Sequence, residues 1–377
     1  MTFKILHFAD VHLDISFAGM GFPLEVARRY RESLRGAVKR LMDLALEEAV
    51  SCVTVGGDLY EQERFTADTG NFLAEQFTRL DSVPVFIVPG NHDPLVPDSI
   101  YKQVKWPENV TIFQHPKLEP YPLNEAVVLW GLAHPSPSWR GKPLENFHVP
   151  DERIHILLLH GSDMSNVPAG KVTHAPFLPE QIRKAGFRFA LLGHYHQGRL
   201  TPEGNPFMAY PGSPEPLAFG ETGLHGAVLL EVTGSTVQAH PISTQTYQSV
   251  REQVDVSQLT NRDAVLTKIQ EALEDKAGER VLAQVTLVGT RHPDVIWDMA
   301  LFNENLPKNF LHIFLEDETL PAFPLEDLKE EKTVRGEFVR KLLDDIEKAS
   351  DDQKEVFKDA LTYGLFAFEK KEIFADN

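Results

Sequence analysis

Carboxylate, amide and imidazole side chains follow five separate apolar runs of this sequence, and these side-chain types bind divalent metal ions. The runs at 3–9, 51–57, 83–90, 154–159 and 187–193 are followed, in order, by Asp10 and His12, by Asp58, by Asn91, by His160, and by His194 and His196. Carboxylate oxygens suit hard cations and imidazole suits Mn, Fe, Zn and Co, so the mixed set suits a borderline divalent ion. We therefore predict a metal site with enough ligands for two ions.

Asp58 is the middle carboxylate of this set, and we expect it to bridge the two ions. A carboxylate can join ions about 3.5–4 Å apart, which together polarise a phosphoryl oxygen and generate a hydroxide nucleophile. Taken singly, a strand-end aspartate is usually a turn former, and a lone histidine is usually a core or surface residue. The ordered occurrence of all these residues at the ends of apolar runs favours one shared metal site instead.

The elements that must position these residues are buried strands. Short runs rich in Val, Ile, Leu and Phe, bounded by Gly and Pro, are typical of such strands, and open α/β sheets bind ligands at the carboxyl ends of their strands. Between the runs, helical periodicity predicts helices near 26–49, 64–80 and 177–186. Later short strands, at 206–210, 227–232 and 236–240, predict a second sheet that closes against the first.

The last third of the chain has a different pattern of predicted elements. A polar stretch near 245–252 suggests a boundary, followed by a small α/β unit with a helix at 262–276 and a strand at 281–288. Two amphipathic helices are predicted at 333–349 and 352–369, and they either pack on the body or dock a partner. We accordingly predict domains at 1–248, 249–320 and 321–377.

Composition limits the class of protein. The chain has 377 residues and one cysteine, Cys52, within a predicted strand, so no disulfide framework is expected and a reducing cytoplasm fits. Neither a signal peptide nor a membrane-spanning run is expected. A net charge of −18 argues against binding nucleic acid by bulk charge alone. Arg28, Arg31 and Arg35 recur at helical spacing, either as a solvated helix face or as a ridge that contacts DNA phosphates.

The order Asp-x-His, Gly-Asp, Gly-Asn-His-Asp, strand-end His and Gly-His-x-His resembles the calcineurin-like metallophosphoesterase superfamily. The resemblance implies an α/β fold, a four-layer α-β-β-α sandwich of two sheets, with a small α/β cap domain and C-terminal helices. It also implies that Asp10, His12, Asp58 and His196 hold one metal, and that Asp58, Asn91, His160 and His194 hold the other. His92 corresponds to the catalytic histidine that contacts the substrate phosphate, and Asp93 would orient it.

Longer segments resemble one particular branch of this superfamily. The segments 5–14, 56–60 and 88–93, with 210–214 and 219–221, resemble the DNA-repair nuclease subunit of the SbcD or meiotic-recombination-eleven type, closest to the YhaO-like exonuclease family. That resemblance implies exonuclease and some endonuclease action on DNA phosphodiester bonds. It further implies two divalent ions, with Mn²⁺ preferred and Mg²⁺, Fe or Zn possible, an SMC-like coiled-coil ATPase partner and a homodimer. Glu61 departs from the pattern, because some relatives carry a second histidine at that position.

Other metal-dependent proteins share parts of this pattern. A purple acid phosphatase needs a metal-bound tyrosine three positions after the Gly-Asp aspartate, whereas Tyr60 lies at the second. Serine/threonine phosphatases resemble Gly-Asn-His-Glu, whereas this chain has Asp93 at the last position. A small-molecule phosphodiesterase, for cyclic nucleotides or similar substrates, shares all the metal motifs and stays open as an alternative. A non-catalytic scaffold with a structural metal site is the third interpretation.

Overall fold

The computed structural model describes residues 2–17, 22–167, 172–219, 221–223, 225–292, 295, 297–349 and 351–369. The chain divides into two compact units, Met1–Ser249 and Val250–Asn377. Three parts of the sequence-based predictions lie outside the described residues: Gly220, Ser350 between the two predicted helices, and 370–377 of the third predicted domain.

The first unit contains strands and helices in alternation along its first half. Its strands are β1 Phe3–Phe8, β2 Cys52–Val55, β3 Val85–Ile87, β4 Val110–Ile112, β5 Glu119–Pro122, β6 Val127–Gly131, β7 Ile154–His160, β8 Phe189–Gly193, β9 Arg199–Thr201, β10 Met208–Tyr210, β11 Gly226–Thr233 and β12 Thr236–Ser243. Its helices are α1 Leu24–Glu47, α2 Ala67–Thr78, α3 Ile100–Gln103 and α4 Pro179–Lys184.

Within the described residues, these strands form two sheets of six. The first sheet has the order β12-β11-β1-β2-β3-β4, and β1 to β4 run parallel, with β11 antiparallel to β1. The second has the order β5-β6-β7-β8-β10-β9, and β6, β7 and β8 run parallel. Parallel pairing places the carboxyl ends of neighbouring strands at one edge of each sheet.

The two sheets face each other across a shared hydrophobic core. Ile5 and Phe86 of the first sheet bury into the same cluster as Leu158 and Phe189 of the second. Successive side chains of a strand point to opposite faces. The next residue of β1, Leu6, is also fully buried, so the outer face of the first sheet is covered as well.

Helices supply that outer cover. In α1 the buried positions recur at helical spacing and include Tyr30, Leu34 and Leu41. On the outer face of the second sheet, Ile182 of α4 joins a cluster with Leu157 of β7. The mixed α/β sandwich predicted from the sequence is therefore confirmed.

The second unit contains a smaller sheet. Its strands are β13 Gln248–Asp255, β14 Gly278–Val288 and β15 Phe310–Asp317, with helices α5 Arg262–Leu273 and α6 Met299–Glu304 and a 3₁₀ turn at Glu274–Lys276. The sheet has the order β13-β14-β15. Ile269 of α5 and Phe302 of α6 pack with Val285 of β14 in one core. The division between the two units falls within β13.

Three helices follow this sheet: α7 Leu325–Glu330, α8 Val334–Lys348 and α9 Asp351–Glu369. Their shared core contains Leu328 of α7, Val339 of α8 and Leu365 of α9. The predicted helix pair thus buries part of its apolar stripes within its own unit. Of the helices that the structure describes, none combines the length and apolarity needed to cross a bilayer.

Candidate metal centre

The predicted ligands lie at or just beyond the carboxyl ends of five parallel strands, three in the first sheet and two in the second. Asp10 follows β1, Asp58 follows β2 and Asn91 follows β3, all in the first sheet. In the second sheet, His160 is the last residue of β7 and His194 follows β8 directly. Because the two sheets share a core and their parallel strands end at this edge, ligands far apart in sequence converge there.

Several of these residues adopt backbone conformations that side chains usually avoid. Asp10, His12, Asp58 and His194 have φ angles of 56°, 50°, 52° and 111°. Positive φ at such residues costs on the order of 1–3 kcal/mol and persists only where surrounding contacts enforce it. Here the His12 amide donates to the carbonyl of Asp58, and the His194 amide donates to the carboxylate of Asp10, each at 3.0 Å. The strain indicates that these loops are held for a purpose other than stability.

Two glycines allow the backbone to approach the ligands closely. Gly57 has a φ of 90°, and a Cβ there would lie 2.6 Å from Nδ1 of His160. A Cβ at Gly90 would collide with Oδ1 of Asp58. Both positions therefore require glycine, since any side chain would fill the space where ligand atoms meet.

The first group of donor atoms comes from Asp10, His12 and His196, whose ligand atoms lie within 4.8 Å of one another. Nδ1 of His12 donates to Oε1 of Glu61 at 2.6 Å, and Nδ1 of His196 donates to Oε1 of Glu221 at 2.6 Å. These bonds leave Nε2 of each ring with a lone pair. Among the described residues, Nε2 of His12 is buried without a hydrogen-bond partner.

The second group comes from Asp58, His160 and His194, again within 4.8 Å of one another. Nδ1 of His160 donates to the carbonyl of Gly56 at 2.8 Å. Nε2 of the same ring lies 2.9 Å from Oδ1 of Asn91, which brings the predicted amide ligand into the group. All seven predicted ligands are thus assembled at one edge of the sandwich.

Asp58 lies between the two groups. Its Oδ2 is 3.2 Å from Nε2 of His160 and 3.7 Å from Nε2 of His12, while its Oδ1 accepts a hydrogen bond from the His92 amide at 2.8 Å. Burial disfavours its charge, but the neighbouring histidines hold its pKa well below the usual range. A permanent anion therefore occupies the position expected of a shared ligand.

The donor set fits divalent cations. Without metal, burial disfavours charge on His160, yet the Asp58 and Asp10 carboxylates raise its pKa to about 9. Burial, together with Asp58, raises the pKa of Asp10 to about 6. Buried carboxylates crowded this closely are stabilised by positive charge, and Nε2 of His12 has an unused lone pair. These residues can hold two divalent ions.

His92 lies beside this cluster with 46% of its side chain exposed. Its ring meets that of His12 edge-on, with centroids 4.7 Å apart, and its Nδ1 donates to Oε2 of Glu61 at 3.0 Å. Burial opposes its charge, but the Glu61 and Asp58 carboxylates raise its pKa to about 9. His92 is therefore an accessible proton donor next to the ligand groups.

The role predicted for Asp93 requires a correction. Its carboxylate is fully buried and accepts hydrogen bonds from the amides of Gly90 and Leu59, at 2.6 and 2.7 Å, and from Oη of Tyr101, at 2.5 Å. These contacts tie together the two loops that carry Asp58 and His92 and occupy the carboxylate with backbone donors. The carboxylate that contacts the His92 ring is Glu61.

Sequence analysis missed Glu61 and Glu221 as parts of the site. Glu61 lies three residues after Asp58, where the sequence shows only the absence of a histidine. Glu221 lies in the segment 219–221, where the sequence shows only a resemblance. The bonds of both glutamates to histidines join residues 25 to 49 positions apart, so local spacing held no signal for them.

Two further histidines pack against the second group. His134 donates from Nε2 to the carbonyl of His160 at 2.8 Å, and the rings of His174 and His194 meet edge-on with centroids 5.3 Å apart. Both His134 and His174 are buried, and burial lowers the pKa of His134 to about 3. They support the ligand rings as neutral side chains.

The chain matches one family model and is similar to several known proteins. The family model described as calcineurin-like phosphoesterase matches residues 3–198. The uncharacterized metallophosphoesterase YhaO of Bacillus subtilis is 26% identical over 344 residues, covering 87% of this chain and 79% of that protein. The DNA double-strand break repair protein Mre11 of Methanopyrus kandleri is 25% identical over 238 residues, covering 58% of this chain and 50% of that protein. A predicted phosphoesterase from Streptococcus pneumoniae TIGR4 aligns in structure with a TM-score of 0.30 and 14% identity, covering 63% of this chain and 88% of that one.

Proposed function

The chain belongs to the calcineurin-like phosphoesterase family of metal-dependent phosphoester hydrolases, and from this premise we propose that it is a nuclease that hydrolyses DNA phosphodiester bonds. The observation that carries the proposal is the double donor group centred on Asp58, with the exposed imidazole of His92 beside it. The proposed ligands are Asp10, His12, Asp58 and His196 for one ion, and Asp58, Asn91, His160 and His194 for the other.

Divalent ions bound there would supply charge neutralisation at the phosphoryl oxygens and a water of lowered pKa. The protein's own contribution is positional. The strained loops hold the ligand residues in place. Nδ1 of His92 donates a hydrogen bond to Glu61, so Nε2 is the ring nitrogen that can contact the substrate. A protonated imidazole at that position stabilises charge on the phosphate or protonates the leaving oxygen.

DNA is proposed as the substrate because of the relatives. The protein from Methanopyrus kandleri is named for DNA double-strand break repair, and its alignment covers 58% of this chain and half of that protein's length. The site is also open, since His92 is nearly half exposed, which suits a polymer better than an enclosed pocket would. We propose Mn²⁺ as the preferred activator, with exonuclease action on DNA ends and some endonuclease action.

With a net charge of −18, DNA contacts must come from local groups. On α1, Arg28 pairs with Glu25 at 2.9 Å and Arg35 pairs with Asp68 at 2.7 Å. DNA phosphates would have to compete with these carboxylates, whereas Arg31 is exposed on the same helix. Of the three arginines considered from the sequence, Arg31 is therefore the one we propose for a phosphate contact.

We also propose an SMC-like coiled-coil ATPase as partner and a homodimeric state, both from the resemblance of the sequence to SbcD-type nucleases. The helix group at the end of the second unit supports the partner proposal, because it exposes apolar side chains. Val334 is 77% exposed and Val356 is 65% exposed. Exposed apolar side chains on a small helical unit are typical of interaction sites.

The test is a substrate panel with Mn²⁺ in excess: linear double-stranded DNA, circular single-stranded DNA, a cyclic nucleotide and bis-p-nitrophenyl phosphate. The wild type should degrade DNA, and His92→Gln should lower turnover by about 10²–10⁴-fold, the usual contribution of a general acid. Calorimetric Mn²⁺ titration should show unchanged binding in this variant. His240→Gln, on the exposed strand β12, is the matched control and should behave as wild type.

Other outcomes would favour one of the alternative functions or contradict the role of His92. Hydrolysis of the cyclic nucleotide with no cleavage of either DNA would favour the small-molecule phosphodiesterase. Tight Mn²⁺ binding without hydrolysis of any substrate would favour the scaffold. Unchanged turnover of His92→Gln would remove that residue from the mechanism.

A further inference from the structure

Glu61 contacts two histidines that the proposed function assigns to different tasks. Its Oε1 accepts from Nδ1 of His12, a proposed metal ligand, at 2.6 Å, and its Oε2 accepts from Nδ1 of His92 at 3.0 Å. We propose that Glu61 is a positioning residue that ties the orientation of His92 to the metal ligand His12. This inference rests on the proposed function, in which His12 binds metal and His92 acts on the substrate.

The geometry leaves Glu61 little freedom. Its side chain is 15% exposed, and each carboxylate oxygen is occupied by a different ring. Its backbone amide donates to the carbonyl of Leu13, and the amide of Gln62 donates to the carbonyl of His92 at 2.9 Å. Rotation of the carboxylate would break both imidazole bonds, so the two rings are held as one unit.

One consequence concerns which ring nitrogen carries the proton. A carboxylate accepts hydrogen bonds only, so both Nδ1 atoms must be protonated. This leaves Nε2 of His12 for a metal and Nε2 of His92 for the substrate. His92 is nearly half exposed, and the other ring contact that the described residues make with it is the edge-on one of His12, so loss of Glu61 would free its ring to turn.

Glu221 provides a matched control within the same site. It accepts from Nδ1 of His196 at 2.6 Å and its side chain is 16% exposed, nearly the same as Glu61. Its second oxygen accepts from the amide of Leu217 at 2.6 Å, and not from a second imidazole. Glu221 therefore backs one ligand of the same group without holding His92.

The first arm of the experiment observes the histidine rings directly, in full-length metal-free protein labelled with ¹⁵N-histidine. Long-range ¹H–¹⁵N spectra report which nitrogen of each ring is protonated, and His92→Gln assigns the His92 signals. In Glu61→Gln the amide has a single oxygen acceptor for two donors, so the Nδ1 hydrogen bond of His92 should be lost or weakened and its ring signals should move from their wild-type positions. In Glu221→Gln the His92 signals should stay as in wild type.

The second arm uses Mn²⁺ and bis-p-nitrophenyl phosphate or DNA. Removing a carboxylate behind a histidine ligand costs about 10–100-fold in metal affinity, so both variants should bind Mn²⁺ more weakly by calorimetry. At saturating Mn²⁺, the kcat of Glu61→Gln should stay below that of Glu221→Gln by on the order of tenfold or more, with little difference in KM.

The proposal is overturned if the His92 signals of Glu61→Gln match those of wild type, or if both variants recover kcat equally. Thermal unfolding checks that each variant is folded. If Glu61→Gln is not, Glu61→Asp replaces it, because its shorter side chain can reach only one of the two rings. If the wild type proves inactive on every substrate, the spectra still decide whether Glu61 positions His92, so the two proposals fail separately.

Discussion

Asp58 is the residue on which both donor groups depend. One of its oxygens faces His12 and His160, and the other accepts the His92 amide. Its neighbours also differ in kind: Glu61 and Glu221 place carboxylates behind the histidines of the first group, whereas His160 in the second group donates to a neutral carbonyl. The first group is therefore the more anionic of the two.

The substitution Asp58→Asn tests the shared position. The amide keeps the shape and can still accept the His92 amide, but it removes the negative charge common to both groups. We expect Mn²⁺ affinity to fall at both sites together, by about tenfold or more at each. Calorimetric titration measures this, with Asp151→Asn, on an exposed loop, as the control. Loss of one site alone would contradict a bridging role.

At the scale of elements, the strand ends are aligned by contacts between the sheets. His7 of β1 is fully buried and spans this interface. Its Nε2 donates to the carbonyl of Leu192 in β8 at 3.0 Å, and its Nδ1 lies 3.0 Å from the hydroxyl of Thr54 in β2. This side chain joins the first sheet to the second close to the loops that carry the ligands.

Acidic pH should weaken the contact that His7 makes between the two sheets. Burial lowers the pKa of His7 to about 4, below the 6.5 of an unfolded histidine. The unfolded chain therefore binds the proton more readily, and the stability due to neutral His7, complete above pH 6.5, is lost as pH falls towards 4. The loss amounts to about 3 kcal/mol over that range.

The measurement is urea unfolding of metal-free protein at pH 7 and pH 5, for wild type and His7→Gln. The variant should be less stable at pH 7, because it loses a buried hydrogen-bonded ring, and should lose less stability on acidification. Equal acid sensitivity of the two proteins would show that His7 is not the group that titrates.

The chain combines a phosphoesterase unit with a second unit that has its own hydrophobic core. The second unit ends in helices whose core includes Val339 and Leu365. The same helices also expose apolar side chains, among them Val356 and Tyr363 at 65% and 61%. Internal packing accounts for the first set of residues and leaves the second set exposed, which is the surface we propose for a partner.

The double substitution Val356→Asp and Tyr363→Asp should abolish co-purification with a co-expressed SMC-like ATPase, because charge opposes burial of that surface. Hydrolysis of bis-p-nitrophenyl phosphate should be unchanged, since the site lies in the first unit. Leu24→Asp, at a position 89% exposed on α1, is the control and should retain the partner. Retained co-purification of the double variant would favour helices that only pack within their own unit.

Much of the fold followed from local pattern. The apolar runs predicted β1, β2, β3, β7 and β8, and helical periodicity predicted α1 and α2 within a few residues. Other elements were missed, including the inner strand Val127–Gly131 and the edge strand Glu119–Pro122. The first is a short apolar run outside the metal motifs that the sequence presents, and the second contains two prolines. Their place in the sheet comes from pairing with distant strands.

Residue type and local spacing are enough to predict which side chains could bind metal and that they follow strands. The surroundings of each imidazole depend on the tertiary structure. Asp93 proved to hold backbone amides, and Glu61, 49 positions from His12 and 31 from His92, proved to hold both rings. Such contacts depend on how separate loops pack at the sheet edge, and spacing along the chain does not predict that packing.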